Sequence, residues 1–472
     1  MTRTGQPCLT RLNEINCSCL PVLCDNGKPN LAFADSLSEG LGFLGGIVEF
    51  GEGRAKERQE TRDKVSVPHF SNAELHQPTK LYPNIKTPIL PTQIMTAATQ
   101  PPAPSPTVSP FQPSGHHPHA PLPTTTLSTL LSSPTPIPII LDGALATHLE
   151  SLGANISTSL WSASVLLTNS SLIYRTHLSY YRAGASIAVT ASYQASIPGL
   201  CENLGLSVEE AEEVVRKSVE LAQEARVDYL KELASEAACD ARSREEPSKQ
   251  LQNQYQNRPL FIAGSIGPYG AYLANGSEYT GHYPLLPPFP HSIPILQDFH
   301  RRRISTLISA GVDILACETL PSLPETTALV SLLQEEFPEI PACFSFTLRD
   351  ESSISDGTPL PSIVQLLNPV PQVLAIGVNC VPQSIALPAL KTLSTLTHKP
   401  LIIYPNSGEA WDAETRDWFG ARTEKRDLSE RCLEWWEAGA RIIGGCCRTT
   451  PEDIRVIAET LRDVESRKGE EP

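Results

Sequence analysis

The chain has 472 residues, a formal net charge of -15 and 12 cysteines, with hydrophobic residues making up 40%. That length is enough to bury a core of two or three average domains or one large barrel. The acidic balance argues against nucleic-acid backbones and anionic membrane surfaces, so small molecules are the expected partners.

The cysteines are too sparse and irregular for a disulfide framework. No apolar run approaches the roughly 18 to 20 residues that cross a bilayer. The opening "MTRTGQPCLTRLNEINCSCLP" lacks the apolar centre of a secretory signal. The chain therefore reads as soluble, cytoplasmic and reduced, with its thiols available for metal or chemistry. Near the start, "GLGFLGGIVEF" is apolar but too short for a domain, and Cys8, Cys17, Cys19 and Cys24 contain no paired C-x-x-C, which speaks against a zinc finger. From residue 51 the sequence turns polar and then dense in Pro, Ser, Thr and His, as in "TQPPAPSPTVSPFQPSGHHPHAPLPTTT". Such a stretch buries too little apolar surface to offset its ordering entropy. Residues 1–136 are accordingly expected to be a disordered N-terminal region outside the fold.

From residue 137 a different rhythm begins. Short β-branched runs, "IPIILD", "ASIAVTASY", "PLFIAGSIGP", "VDILACET", "ACFSFTL", "VLAIGVNC", "PLIIYPNSG" and "RIIGGCC", alternate with stretches of helical periodicity such as "SVEEAEEVVRKSVELAQEA" and "LPETTALVSLLQEEF". Thr450, Pro451 and Asp453 form a helix start after the last run. Eight such units without a G-x-G-x-x-G turn predict a (β/α)8 TIM barrel over residues 137–465, with 466–472 a flexible tail. The insertion "ARSREEPSKQLQNQYQNRP" reads as a mobile loop before the third strand, and the connection from Pro268 to Pro294 lies on the side where barrels carry their sites.

The predicted strands end in polar residues: Asp142 on the first, Thr190 and Tyr193 on the second, Cys317, Glu318 and Thr319 on the fourth. Asn379 and Cys380 end the sixth, Tyr404 and Asn406 the seventh, Cys446 and Cys447 the eighth. Cys380, Cys446 and Cys447 thus meet on one rim, and three thiolates suit zinc with its fourth position open to substrate. A thiolate-rich zinc activates water poorly but holds an incoming thiol as thiolate, which predicts alkyl transfer to a substrate sulfur. Cys201, Cys239, Cys317, Cys343 and Cys432 read as ordinary packing cysteines. Trp435 and Trp436 read as packing residues of a helix.

"GVNC" followed by "GGCCRTTP" resembles the zinc signature of the homocysteine S-methyltransferase family. The resemblance extends through "LDGALATHLE", "VTASYQAS", "SIGPYGAYLANGSEYTGHY", "LACETLPS" and "YPNSGEAWD", and so covers residues 137 to 465. These motifs are closer to the branch that uses S-methylmethionine or S-adenosylmethionine than to the betaine-using branch. The resemblance implies a (β/α)8 barrel with Cys380, Cys446 and Cys447 as Zn2+ ligands. It also implies that Asp142 and Glu318 face the ammonium of homocysteine and that the N–H groups of Gly143 and Ala144 face its carboxylate.

Two positions depart from the family pattern: Ala144 replaces a usual glycine, and His148 an acidic residue. Ala144 keeps a small side chain, and His148 is expected to face solvent. A sulfonium donor favours aromatic faces, and Trp161, Tyr193, Tyr269 and Tyr283 are the aromatic residues of loops within reach of the rim. Trp161 reads equally as core packing. The expected product is methionine and the expected assembly, by resemblance, a monomer or loose dimer. Two other readings use the same residues: betaine or a folate as donor at the same metal, or an interaction protein with a Pro-rich ligand segment and a lapsed barrel.

Overall fold

The computed structural model describes residues 126–133, 137–156, 161–240, 258–284, 286–412 and 417–468. Eight parallel strands form one sheet. They are β1 (Ile139–Ile140), β2 (Ile187–Val189), β3 (Phe261–Ile266), β4 (Ile314–Leu320), β5 (Ala342–Phe346), β6 (Val373–Asn379), β7 (Leu401–Tyr404) and β8 (Ala440–Ile443). Each falls inside one of the β-branched runs. In spatial order β1 pairs with β8, and the pairing then descends to β2. The ring closes where Leu141 bridges Ile187, with Ser186 N–H donating to Ile140 O at 2.7 Å and Asp142 N–H to Ile187 O at 3.1 Å. The result is the (β/α)8 barrel expected.

A principal helix follows each strand, from Ser170–Arg182 after β1 and Val208–Asp240 after β2 to Pro451–Lys468 after β8. Sequence chemistry fixes their starts. Ser207 and Glu210 cap the second reciprocally, Glu210 N–H donating to Ser207 Oγ at 3.2 Å and Ser207 N–H to Glu210 Oε2 at 2.8 Å. At the last helix Thr450 N–H donates to Asp453 Oδ2 at 2.7 Å, the capping pattern read from the sequence.

Strand periodicity of two separates the faces. Phe261, Ala263, Ile314, Ala316, Cys343, Ala375, Ile402 and Ile442 belong to the inward apolar cluster. Ile262, Leu315, Phe344, Ile376, Ile403 and Ile443 belong to the cluster shared with the helices. Two residues beyond Ala263, Ala316, Cys343 and Ile402 come Ser265, Glu318, Ser345 and Tyr404. The inward face is therefore apolar along most of its length and polar only at the C-terminal mouth.

Residues 127–131, assigned by composition to the disordered region, instead form a helix, Leu127–Leu131. Thr126 Oγ1 caps it, accepting from Thr129 N–H at 3.2 Å. Leu127 is 4% exposed and joins the inward cluster, with Leu130 and Leu131 packed beside it. Leucines at i, i+3 and i+4 behind a Thr cap make a short helix that the surrounding proline content masks. At the other end, the last helix runs to Lys468, beyond the predicted tail boundary. The rest of the N-terminal region and the mobile-loop assignment at 241–257 lie outside the described residues. Among the described residues no helix is long and apolar enough to cross a membrane. Leu127→Ala is expected to lower the unfolding free energy by about 2 to 4 kcal/mol in a urea titration. A loss under about 0.5 kcal/mol, as at an ordinary surface site, would show that this helix does not brace the barrel.

Candidate metal centre and active site

After Ile443 the backbone of β8 threads between its neighbours. Gly444 N–H donates to Ile403 O at 3.0 Å, Gly445 N–H to Asp142 O at 3.2 Å and Cys446 N–H to Pro405 O at 2.8 Å. A Cβ on Gly444 would lie 2.7 Å from Leu141 Cβ, and one on Gly445 would lie 2.4 Å from Thr449 Oγ1. Only glycines let the strand run this close to β1 while Thr449 Oγ1 folds back to donate to Cys446 O at 2.6 Å. Cys447 is fixed in turn by Ser407, whose N–H donates to its carbonyl at 3.0 Å.

Cys380 leaves β6 in the left-handed region, at φ 54°. A non-glycine residue there costs on the order of 1 kcal/mol or more and persists only when its surroundings hold it. Asn379 supplies the hold: its Oδ1 accepts from Thr319 N–H and its Nδ2 donates to Thr319 Oγ1, both at 2.8 Å. Thr319 is itself at φ 60°. The paired bends at the ends of β4 and β6 brace one another, and Cys380 N–H donates to Tyr404 O at 3.2 Å.

The sulfurs that result are 3.6 Å apart for Cys380 and Cys447 and 4.0 Å apart for Cys446 and Cys447. All three ligand atoms lie within 4.8 Å of one another. Those separations are far from a disulfide bond of about 2.05 Å, and they match the edge of about 3.8 Å that a tetrahedron with metal–sulfur bonds of about 2.3 Å requires. The donor set fits a soft divalent metal. Cys380 is 8% exposed, whereas Cys446 and Cys447 are half-buried, so the triad has an accessible side. Hydrogen bonding from Cys446 and Cys447 holds the Cys380 thiol well below its ordinary range and, with burial, pushes the other two up.

Both expected carboxylates are at the mouth. Asp142 is 4% exposed and accepts from Val189 N–H at 2.8 Å; burial raises it well above the carboxylate range despite that bond, with the nearby Glu318 adding to the rise. Glu318 is 8% exposed, accepts from Ser265 Oγ, and accepts from Tyr404 OH at 3.2 Å. Burial pushes it up to about 7 against those two bonds. Among the described residues the Gly143 N–H makes no hydrogen bond. The Ala144 N–H donates to Thr449 Oγ1 at 3.1 Å and is already engaged.

The aromatic set divides. Tyr193 is half-buried and lies within electrostatic reach of Cys380, its hydroxyl bonded to Thr319. Tyr269 and Tyr283 instead belong to a cluster with Phe299, and Tyr283 OH donates to the fully buried Glu325. Glu325 also accepts from Tyr269 N–H at 2.6 Å and pairs with His300 Nε2 at 2.8 Å. Arg303 donates to His300 Nδ1 at 3.0 Å, to Tyr193 O at 2.9 Å and to Gly267 O at 2.6 Å. These two tyrosines thus anchor the loop through Glu325. Trp161 opens the 3-10 turn Trp161–Ser164, and its side chain lies outside the described residues.

Sequence reading missed Tyr279, whose hydroxyl lies 3.5 Å from Cys380 Sγ, and its neighbour Glu278. Both stand in the turn Ser277–Tyr279 of the long connection after β3, where no strand periodicity points to the mouth. The quoted "NGSEYTGHY" was the available signal. His148 does not simply face solvent: it is half-buried against Tyr180, 5.8 Å between ring centroids. Cys317, Cys343 and Cys432 are buried in apolar surroundings that push their thiols up, Cys343 to about 12. Trp435 and Trp436 are packed in the core.

A (β/α)8 barrel with a three-thiol cage and two buried carboxylates at its C-terminal mouth defines a metal-dependent class of barrel enzyme. The family model for homocysteine S-methyltransferase matches residues 139–461. The chain belongs to that family and is a methyltransferase. It is 46% identical over 319 residues to Homocysteine S-methyltransferase of Escherichia coli (strain K12), covering 68% of this chain and 94% of that one. It is 39% identical over 323 residues to Selenocysteine Se-methyltransferase of Brassica oleracea var. italica, covering 68% and 88%. Among solved structures, the metallated form of the homocysteine methyltransferase MmuM from Escherichia coli matches with a TM-score of 0.56 at 44% identity, covering 68% of this chain and 95% of that one. Replacing Cys380, Cys446 or Cys447 singly by Ser is expected to lower metal affinity at least about tenfold. Metal content after dialysis, with circular dichroism to confirm folding, checks this; full retention of metal by any one variant would remove that residue from the cage.

Proposed function

We propose that the chain transfers a methyl group from S-methylmethionine, or less efficiently S-adenosylmethionine, to the thiol of L-homocysteine on a Zn2+ held by Cys380, Cys446 and Cys447, forming methionine. The observation that carries this reading is the three-sulfur cage, accessible on one side, at the same mouth as two buried carboxylates. When bound there, Zn2+ favours the thiolate form of an arriving thiol at neutral pH. Asp142 and Glu318 accept from the homocysteine ammonium, and Ser265 and Tyr404 orient Glu318 for it. The Gly143 N–H donates to the carboxylate. Held at both ends, the amino acid presents its sulfur in line with the sulfonium methyl. The new S–C bond forms as the donor S–C bond breaks, and the bonding pair stays with the donor sulfur, leaving a neutral thioether. No general base is needed in the transfer step, because the thiol would release its proton to solvent on binding the metal.

Incubating purified protein and homocysteine with S-methylmethionine, S-adenosylmethionine, betaine or a methylfolate, with and without a chelator, tests the reaction. Methionine is expected from the sulfonium donors, to cease with chelator and to return with Zn2+; methionine from betaine but not from S-methylmethionine would sink the proposal.

The carboxylates set a pH dependence. Below about 7 Glu318 carries a proton and cannot pair with an ammonium, and Asp142 is displaced in the same direction. The KM for homocysteine should therefore rise as pH falls through about 7, by up to about tenfold per unit. Glu318→Gln should raise that KM roughly ten- to a hundredfold at pH 8 and flatten the profile. An unchanged profile in that variant would assign the titration to another group.

A further inference from the structure

The turn Ser277–Tyr279 is held from several sides. Asn275 Oδ1 accepts from Ser277 N–H at 3.1 Å, and Gly281 N–H donates to Ser277 O at 2.8 Å. Thr347 Oγ1, just past β5, donates to Glu278 O at 3.1 Å. A Cβ on Gly270 would lie 2.4 Å from Glu278 N, so the helix Tyr269–Leu273 rests directly on the turn. With Tyr279 against Cys380, the Glu278 carboxylate stands within electrostatic reach of Cys380 and Tyr193. Its Oε2 is buried and has no hydrogen-bond partner. Among the described residues no cation pairs with it. A buried carboxylate oxygen left in this way is costly unless a ligand compensates it.

Building on the proposed transfer to a thiol at the cage, we infer that Glu278 is the counter-anion for the sulfonium centre of the methyl donor, with Tyr193 and Tyr279 flanking that centre. The reacting methyl must lie about 3 to 3.5 Å from the attacking sulfur, so the donor sulfur lies just beyond, beside the cage. Asp142 and Glu318 are committed to the acceptor's ammonium, which leaves Glu278 as the carboxylate for a second positive charge. A sulfonium has no N–H or O–H to donate, which suits an oxygen that accepts no hydrogen bond. Burial pushes the Glu278 carboxyl up to about 7, and a cation beside it offsets that cost.

The consequence lies in binding rather than in the barrier. The sulfonium charge vanishes as the methyl leaves, so the attraction is strongest in the ground state. Glu278 therefore favours the charged donor over the neutral thioether left behind. That distinction matters because, with S-methylmethionine, the spent donor is methionine, which is also the methylated acceptor.

The test uses the full Zn2+-loaded chain and Glu278→Gln. The donor KM is expected to rise at least about tenfold, with kcat raised rather than lowered because a ground-state attraction is lost, and with the homocysteine KM and methionine inhibition against the donor unaltered. Glu278→Asp, with its charge withdrawn by one methylene, should fall between and serves if the Gln variant does not fold. Trimethylsulfonium, a sulfonium without an amino group, should inhibit competitively with the donor and lose potency by the same factor. An unchanged donor KM, or a rise confined to the homocysteine KM, overturns the inference. A raised donor KM with undiminished trimethylsulfonium inhibition assigns Glu278 to the donor's ammonium and overturns it as well. A parent protein that turns over no sulfonium donor overturns the proposed function itself; one that does so with Glu278→Gln indifferent fails only this inference.

Discussion

Placing three thiols within 4.8 Å of one another at the end of a barrel is the constraint on which the rest of the mouth depends. To hold a metal all three would have to be thiolates, and like charges at that spacing repel strongly where water is scarce. The chain meets the constraint through its backbone. Two adjacent cysteines follow a glycine pair pressed between β1 and β7, and the third leaves β6 through a left-handed bend braced by Asn379 and Thr319. The same Gly445 N–H that seats the cysteine pair donates to the backbone carbonyl of Asp142, so the main chain that carries this carboxylate is tied to the cage. The three thiols and Asp142 are parts of one backbone arrangement.

Charge is the second consequence. Cys380, Cys446, Cys447, Asp142, Glu318 and Glu278 crowd acidic groups into a small volume, and burial raises all three carboxyls. Among the described residues Arg303 is the one buried arginine, and it is directed to the backbone carbonyls of Tyr193 and Gly267. Such a mouth favours positive charge beside its thiols and carboxyls, and the transfer proposed above would bring it a metal ion, an ammonium and a sulfonium. Each would favour the ionised form of the group it meets, so that binding and loss of protons would be linked.

The sequence carried the fold because barrel strands buried on both faces read as β-branched runs, and each run fell on an observed strand. It carried the cage because cysteines at strand ends can converge only around a closed sheet. The positions of Asp142 and Glu318 at the mouth were legible because both end predicted strands, while their role came from the family resemblance. Leu127 was hidden because composition averages over windows longer than a five-residue helix. Tyr279 and Glu278 were hidden because their positions depend on how a long connection folds back, and no local periodicity encodes that. The bonds of Tyr269 and Tyr283 to Glu325 were hidden for a related reason: proximity in sequence to the mouth says nothing of the partners a loop residue packs against.

What fixes those loops is a buried polar relay that resembles neither core nor site when read by residue type. Arg303 donates to His300 Nδ1, so that nitrogen accepts and Nε2 carries the proton toward Glu325. The ring is thus neutral, consistent with the downward displacement that burial imposes on it. Glu325 then gathers Tyr269 N–H and Tyr283 OH while Arg303 grips the carbonyls of Tyr193 and Gly267. With Glu325, both His300 nitrogens and the terminal nitrogens of Arg303 paired and only Arg303 Nε left without a partner, such a network restricts conformation more than apolar packing would, because alternatives strand further buried polar groups. It ties the connection that carries Tyr193 to the helix Ile293–Ser309 through Arg303, and the one that carries Glu278 and Tyr279 to the next helix, Leu323–Glu336, through Glu325. The loop residues at the mouth are therefore positioned by side chains of two outer helices that His300 and Glu325 join.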